Sequence, residues 1–167
     1  MGYSFAGLIL APLLLFKGKR VRRRVPRLPK PAGPRSGTSG VGPVFRILFL
    51  GDSAAASVGV EQPQATLIAS VVNALAEQFE VHWQVMAKTD ATTADTVRAL
   101  KARDIGEVDV AICVLGVNDI SSGTTLDKWR ASQNEYDSIG RNACSGFCYI
   151  AAGQTACERY RFSKPIR

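Results

Sequence analysis

Three apolar runs separated by two amphipathic stretches organise residues 44–115 of this 167-residue chain. Val44-Phe45-Arg46-Ile47-Leu48-Phe49-Leu50 predicts a first strand. Between Gln64 and Phe79, the residues Leu67, Ile68, Val71, Val72, Leu75 and Phe79 recur at helical spacing, so this stretch predicts an amphipathic helix. A second strand is expected at about 81–86, carrying His82 and Trp83. From Thr92 to Arg103 the positions Ala94, Val97, Ala99 and Leu100 predict a second helix, with Thr92, Thr93 and Asp95 near its start, as capping favours. Residues 108–115 are almost continuously apolar, the pattern of a strand buried on both faces. Two successive strand–helix–strand units imply a parallel sheet with right-handed connections. Three of its strands are visible in this pattern.

The flanks read differently. Residues 25–43 (VPRLPKPAGPRSGTSGVGP) are rich in Pro, Gly and Ser and predict an irregular linker. Before them, Phe5 to Phe16 form an apolar segment interrupted by Pro12 and followed by Lys17, Lys19, Arg20, Arg22, Arg23 and Arg24. A spanning helix needs about 20 apolar residues, and a secretory signal places its charge before the apolar run. Neither fits, so a cytoplasmic or peripheral membrane location is expected rather than secretion. Two readings of the arm stand: residues 5–30 lie at an anionic membrane surface, or the apolar end packs on the domain. Composition changes again near residue 131. Residues 44–130 contain seven Leu and twelve Val, and residues 131–167 contain neither. No period of 2 or 3.6 is evident there. Either the reading frame is lost just after Trp129-Arg130, or the tail is a divergent extension. The expected organisation is an arm and linker at 1–43, a partial α/β domain at 44–130 and an atypical tail at 131–167.

Charge follows the same division. The net charge of +7 arises from the arm, because residues 1–46 hold ten Lys or Arg and no acid. The remainder holds eleven basic and fourteen acidic residues. A nucleic-acid partner would call for basic residues spread over a folded face with aromatics between them, so none is expected. With 46% apolar residues there is enough material for one buried core. Cys113 falls inside an apolar strand; Cys144, Cys148 and Cys157 crowd the tail without the usual zinc spacing, so no metal site is expected.

Candidate chemistry sits where two strands end. Gly51-Asp52-Ser53 follows the first strand and Gly116-Val117-Asn118-Asp119 follows the third. In open α/β sheets, ligands bind in loops at the carboxyl ends of strands. A serine in one such loop and an asparagine in another supply a nucleophile and an amide donor for a developing oxyanion, which points to acyl-ester chemistry.

On these motifs, residues 46–130 resemble the front part of an SGNH (GDSL-type) hydrolase, a family of esterases, lipases and thioesterases with a flavodoxin-like, three-layer α/β fold. The resemblance implies Ser53 as nucleophile, with its N–H as one oxyanion donor and Asn118 Nδ2 as another. Gly51, Asp52, Gly116 and Asp119 would support the two loops, Asp52 and Asp119 fixing geometry rather than touching substrate. No metal or organic cofactor is implied, and the substrate would be a small-molecule carboxylic ester or thioester. Two departures bear on activity. Asp90, within Ala87-Lys88-Thr89-Asp90-Ala91-Thr92-Thr93, stands where the family offers an oxyanion glycine, so its N–H would be the third donor beside a carboxylate. The family's Asp-x-x-His, which supplies the general base, has no counterpart after residue 130, and His82 is the chain's single histidine. The domain is therefore expected to be incomplete at its C-terminal end and impaired. The alternative is a non-catalytic binding domain associated with a membrane surface, or an inactive remnant.

Overall fold

A computed structural model describes residues 16–18, 20, 28, 33–151 and 154–156, with side chains through residue 140. The apolar segment 5–15 and most of the basic stretch to residue 30 lie outside the described residues, so the expected membrane contact does too. The described elements are β1 (Ser36–Ser39), β2 (Val44–Gly51), a single 3-10 turn (Pro63–Ala65), α1 (Leu67–Ala76), β3 (Glu80–Ala87), α2 (Thr93–Lys101), β4 (Val108–Leu115), α3 (Val117–Ser121), α4 (Leu126–Ala143), β5 (Cys144–Ala151) and β6 (Gln154–Ala156). The three predicted strands lie within one residue of their expected positions. The first predicted helix starts later, because Pro63 and Thr66 change its beginning. Thr66 is extended and accepts a hydrogen bond from Ala69 N at its hydroxyl, so the α-helix proper begins at Leu67.

The sheet order is β1-β3-β2-β4-β5-β6. β2 pairs in parallel with both β3 and β4, and β4 pairs in parallel with β5. The two outer pairs, β1 with β3 and β5 with β6, are antiparallel. Two sequence expectations are corrected here. The linker is not irregular throughout: Ser36–Ser39 forms an edge strand alongside β3, with Val85 N donating to Arg35 O at 2.7 Å. Small residues without a hydrophobic pattern make this strand hard to read, yet its backbone groups satisfy the open edge of β3. Nor does regular structure stop near residue 131. The helix α4 runs through it, and β5 covers the edge of β4 that a three-stranded fragment would have left bare.

Alternation along β2 builds two cores, one on each face. Leu48 and Leu50 join Val97 and Leu100 of α2, Ala111, Cys113 and Leu115 of β4, and Tyr136 of α4. Ile47 and Phe49 join Val72 of α1 with Val81, Val85 and Ala87 of β3. This is the three-layer arrangement expected of an α/β domain. β4 carries Asp109 without leaving its carboxylate unsatisfied, since Oδ2 accepts the Arg46 N–H at 2.6 Å.

Tyr136 is fully buried although it belongs to the stretch whose composition departs from the rest. Replacing it with Ala is expected to destabilise the fold by about 3–5 kcal/mol, as for other large core truncations. Urea unfolding of Tyr136→Ala against the parent protein measures this. An unchanged midpoint would mean that residues 131–140 do not pack as described.

Candidate active site

The ends of β2, β3 and β4 are level. Gly51 is the register partner of Ala87 on one side and of Val114 on the other. The chain turns at Gly51 with φ at +149°, and a Cβ there would stand 2.2 Å from the Val114 carbonyl oxygen. Only glycine fits that close approach. Asp52 N then donates to Val114 O at 3.2 Å, tying the loop to β4. Gly116, with φ at +123°, makes the corresponding turn from β4 into α3.

Hydrogen bonds draw the three predicted loops into one cluster. Asp52 is buried; its Oδ1 accepts from Ala54 N at 2.9 Å and its Oδ2 from Asn118 Nδ2 at 3.1 Å. The same Asn118 amide donates to Ala91 O at 3.0 Å, next to Asp90. Asp119 is also buried and accepts from Thr93 N at 3.0 Å and Thr93 Oγ1 at 2.8 Å. Thr93 was visible in the sequence only as a residue near a helix start. Its role in holding Asp119 depends on a contact between distant segments, for which no local pattern exists. Burial raises the Asp52 pKa, opposed by its backbone hydrogen bonds and reinforced by the carboxylates of Asp119 and Asp90.

Ser53 is partly exposed at the start of the turn after β2. Asp90 is exposed and has φ at +62°, so the residue in the expected glycine position keeps a glycine-like backbone. Among the described residues, neither Ser53 N nor Asp90 N is used in a backbone hydrogen bond. Asn118 differs: both of its Nδ2 protons are already donated inside the protein. It can serve an oxyanion only by exchanging one of those bonds.

His82 is placed far from this cluster. It is level with Arg46, five residues before Ala87 along β3, which at about 3.3 Å per residue is roughly 16 Å from the strand ends. Its Nε2 lies 2.7 Å from Glu80 Oε1. Among the described residues no group of His, Cys, Asp and Glu could hold a metal ion, and no helix is long and apolar enough to cross a membrane.

The same fold occurs in solved esterases. The chain is similar to Axe2, an acetylxylan esterase from Geobacillus stearothermophilus, with 18% identity and a TM-score of 0.52 over 65% of this chain and 59% of that one. It is similar to AlinE4, an SGNH-hydrolase family esterase, with 21% identity and a TM-score of 0.55 over 66% of this chain and 60% of that one. It is also similar to the psychrotrophic esterase EstA from Pseudoalteromonas sp., in a structure inhibited by monoethylphosphonate, with 20% identity and a TM-score of 0.54 over 64% and 61% of the two chains. The sequence matches no family model and no curated protein. The fold is thus that of the SGNH-hydrolase esterases, and the chain spans about 60% of the length of these three structures.

The start of α2 supplies a check on the loop that carries Asp90. Thr92 and Asp95 form a reciprocal capping box, and the hydrogen bonds from Thr92 hold the Asp95 carboxyl at about 2, below its ordinary 3.8. A depressed carboxylate pKa stabilises the fold above the unfolded value, and that contribution disappears as pH falls through the folded one. Thr92→Ala is expected to cost about 0.5–2 kcal/mol at neutral pH. It should also flatten the fall in stability between about pH 4 and pH 2. Urea unfolding across that window measures both effects.

Proposed function

We propose that this chain is part of an SGNH-type serine hydrolase that acts on carboxylic esters or thioesters through an acyl-Ser53 intermediate. The observation that carries the reading is that Asn118 bonds to Asp52 and Ala91, the neighbours of Ser53 and Asp90, at the level ends of three parallel strands in the fold of known esterases. In the proposed reaction Ser53 Oγ bonds to the substrate carbonyl carbon. The resulting oxyanion is held by the Ser53 and Asp90 N–H groups, and by Asn118 once it releases one internal acceptor. Collapse breaks the bond to the alcohol or thiol, which leaves with a proton, and water then cleaves the acyl-serine.

Proton removal from Ser53 is the weak step in this chain. His82 is about five residues down the strand, and an unassisted serine hydroxyl is a poor nucleophile at neutral pH. Loss of a triad base removes most of the rate and leaves what binding and the oxyanion hole supply. The Asp90 carboxylate adds negative charge beside the developing oxyanion. The 167-residue chain is therefore a slow hydrolase. The second reading, a non-catalytic binding domain, is favoured by the internal use of both Asn118 protons.

Labelling with an activated ethylphosphonate ester separates the two readings. Stoichiometric labelling that is slow and disappears in Ser53→Ala is expected. Asp90→Gly should label faster, since it removes the carboxylate while keeping a backbone that glycine adopts freely. Labelling that is absent at long times, or that persists in Ser53→Ala, would favour the binding domain.

A further inference from the structure

A cavity of about 340 Å³ lies between α1 and the β3 edge of the sheet, apart from Ser53, Asp90 and Asn118. Its volume is within the range of small-molecule sites. Ile68 and Val72 of α1 form one wall, and Trp83 and Val85 of β3 form another. The turn residue Ser57 and Arg35, just before β1, also line it.

Arg35, Ser39, Ser57, Thr66 and Asn73 bring polar groups to this lining, and two of them stand out. Ser57 is 4% exposed, its Oγ has no hydrogen-bond partner, and its backbone is left-handed with φ at +54°. A buried hydroxyl without a partner is uncommon in folded proteins and marks a hydrogen bond that the fold itself does not supply. Arg35 donates one Nη1 bond to Ala87 O at 2.8 Å and has further N–H donors on its guanidinium. Both features lie toward the carboxyl ends of the strands. Ala87 is the register partner of Gly51, from which the turn to Ser57 departs. Among the described residues no Asp or Glu lines the cavity, and Arg35 is the single charged side chain that does.

We infer that this cavity binds a free aliphatic carboxylate of medium chain length. The chain lies against Val72 and Trp83, and the carboxylate accepts hydrogen bonds from Arg35 and, once its side chain rotates toward the cavity, from Ser57. The site does not depend on whether Ser53 hydrolyses esters.

The test uses the full chain carrying Trp129→Phe, which leaves Trp83 as the one tryptophan, titrated with 8-bromooctanoate. Saturable quenching of Trp83 that unbrominated octanoate reverses is expected. Arg35→Gln and Ser57→Ala should each weaken carboxylate binding about tenfold, as loss of a charge-assisted hydrogen bond does. Arg35→Gln should leave binding of the neutral 8-bromooctanol unchanged. Ala69→Phe, which fills the cavity from α1, should abolish quenching. Quenching that never saturates, that survives Ala69→Phe, or that is equally insensitive to Arg35→Gln for acid and alcohol overturns the inference. Should Ala69→Phe fail to fold, the Arg35→Gln comparison of acid with alcohol still decides the matter.

Discussion

Beside Gly51 the backbone of β2 runs so close to β4 that even a methyl group at that position would strike the Val114 carbonyl. That close approach keeps the two strand ends level and starts the loop that carries Asp52 and Ser53. From there Asp52 reaches Asn118, Asn118 reaches Ala91, and Thr93 holds Asp119. Each of these bonds joins segments far apart in sequence, so the cluster exists only when the sheet is assembled. The geometry is stiff because buried carboxylates whose acceptors are occupied by fixed donors tolerate little displacement.

The same bonds set a tension between order and chemistry. Asn118 is positioned by giving away both amide protons, and an amide so occupied is not immediately available to a negative oxygen. Asp52 is held in a buried site beside two other carboxylates, which raises its pKa. Protonation there would remove a strong acceptor from Asn118 and leave the amide more weakly held. The charge on Asp52 therefore sets how firmly the Asn118 amide is held.

Much of this was legible in the sequence where local pattern and tertiary need agree. The apolar runs of β2 and β4 and the period of α1 identify the central sheet, and the glycines at 51 and 116 mark its turns. Asp90 was recognisable as an odd residue in a glycine position, but its positive φ belongs to the folded loop. β1 was missed because Ser36–Ser39 has no side-chain pattern; pairing with β3 makes it a strand. The helix across residue 131 was missed because its polar sequence conceals one inward face, on which Tyr136 and Ile139 meet the core. The Ser57 cavity has no sequence signature, since it arises from the gap between elements.

The pairing of β1 also fixes an exit direction. Because β1 runs antiparallel to β3, Arg35 lies beside Val85 and Ala87, at the same end of the sheet as Ser53. The chain therefore enters β1 at the end of the sheet where Gly51 and Ala87 close their strands. Residues joined just before Arg35 thus meet the sheet beside the loops that carry Ser53 and Asp90.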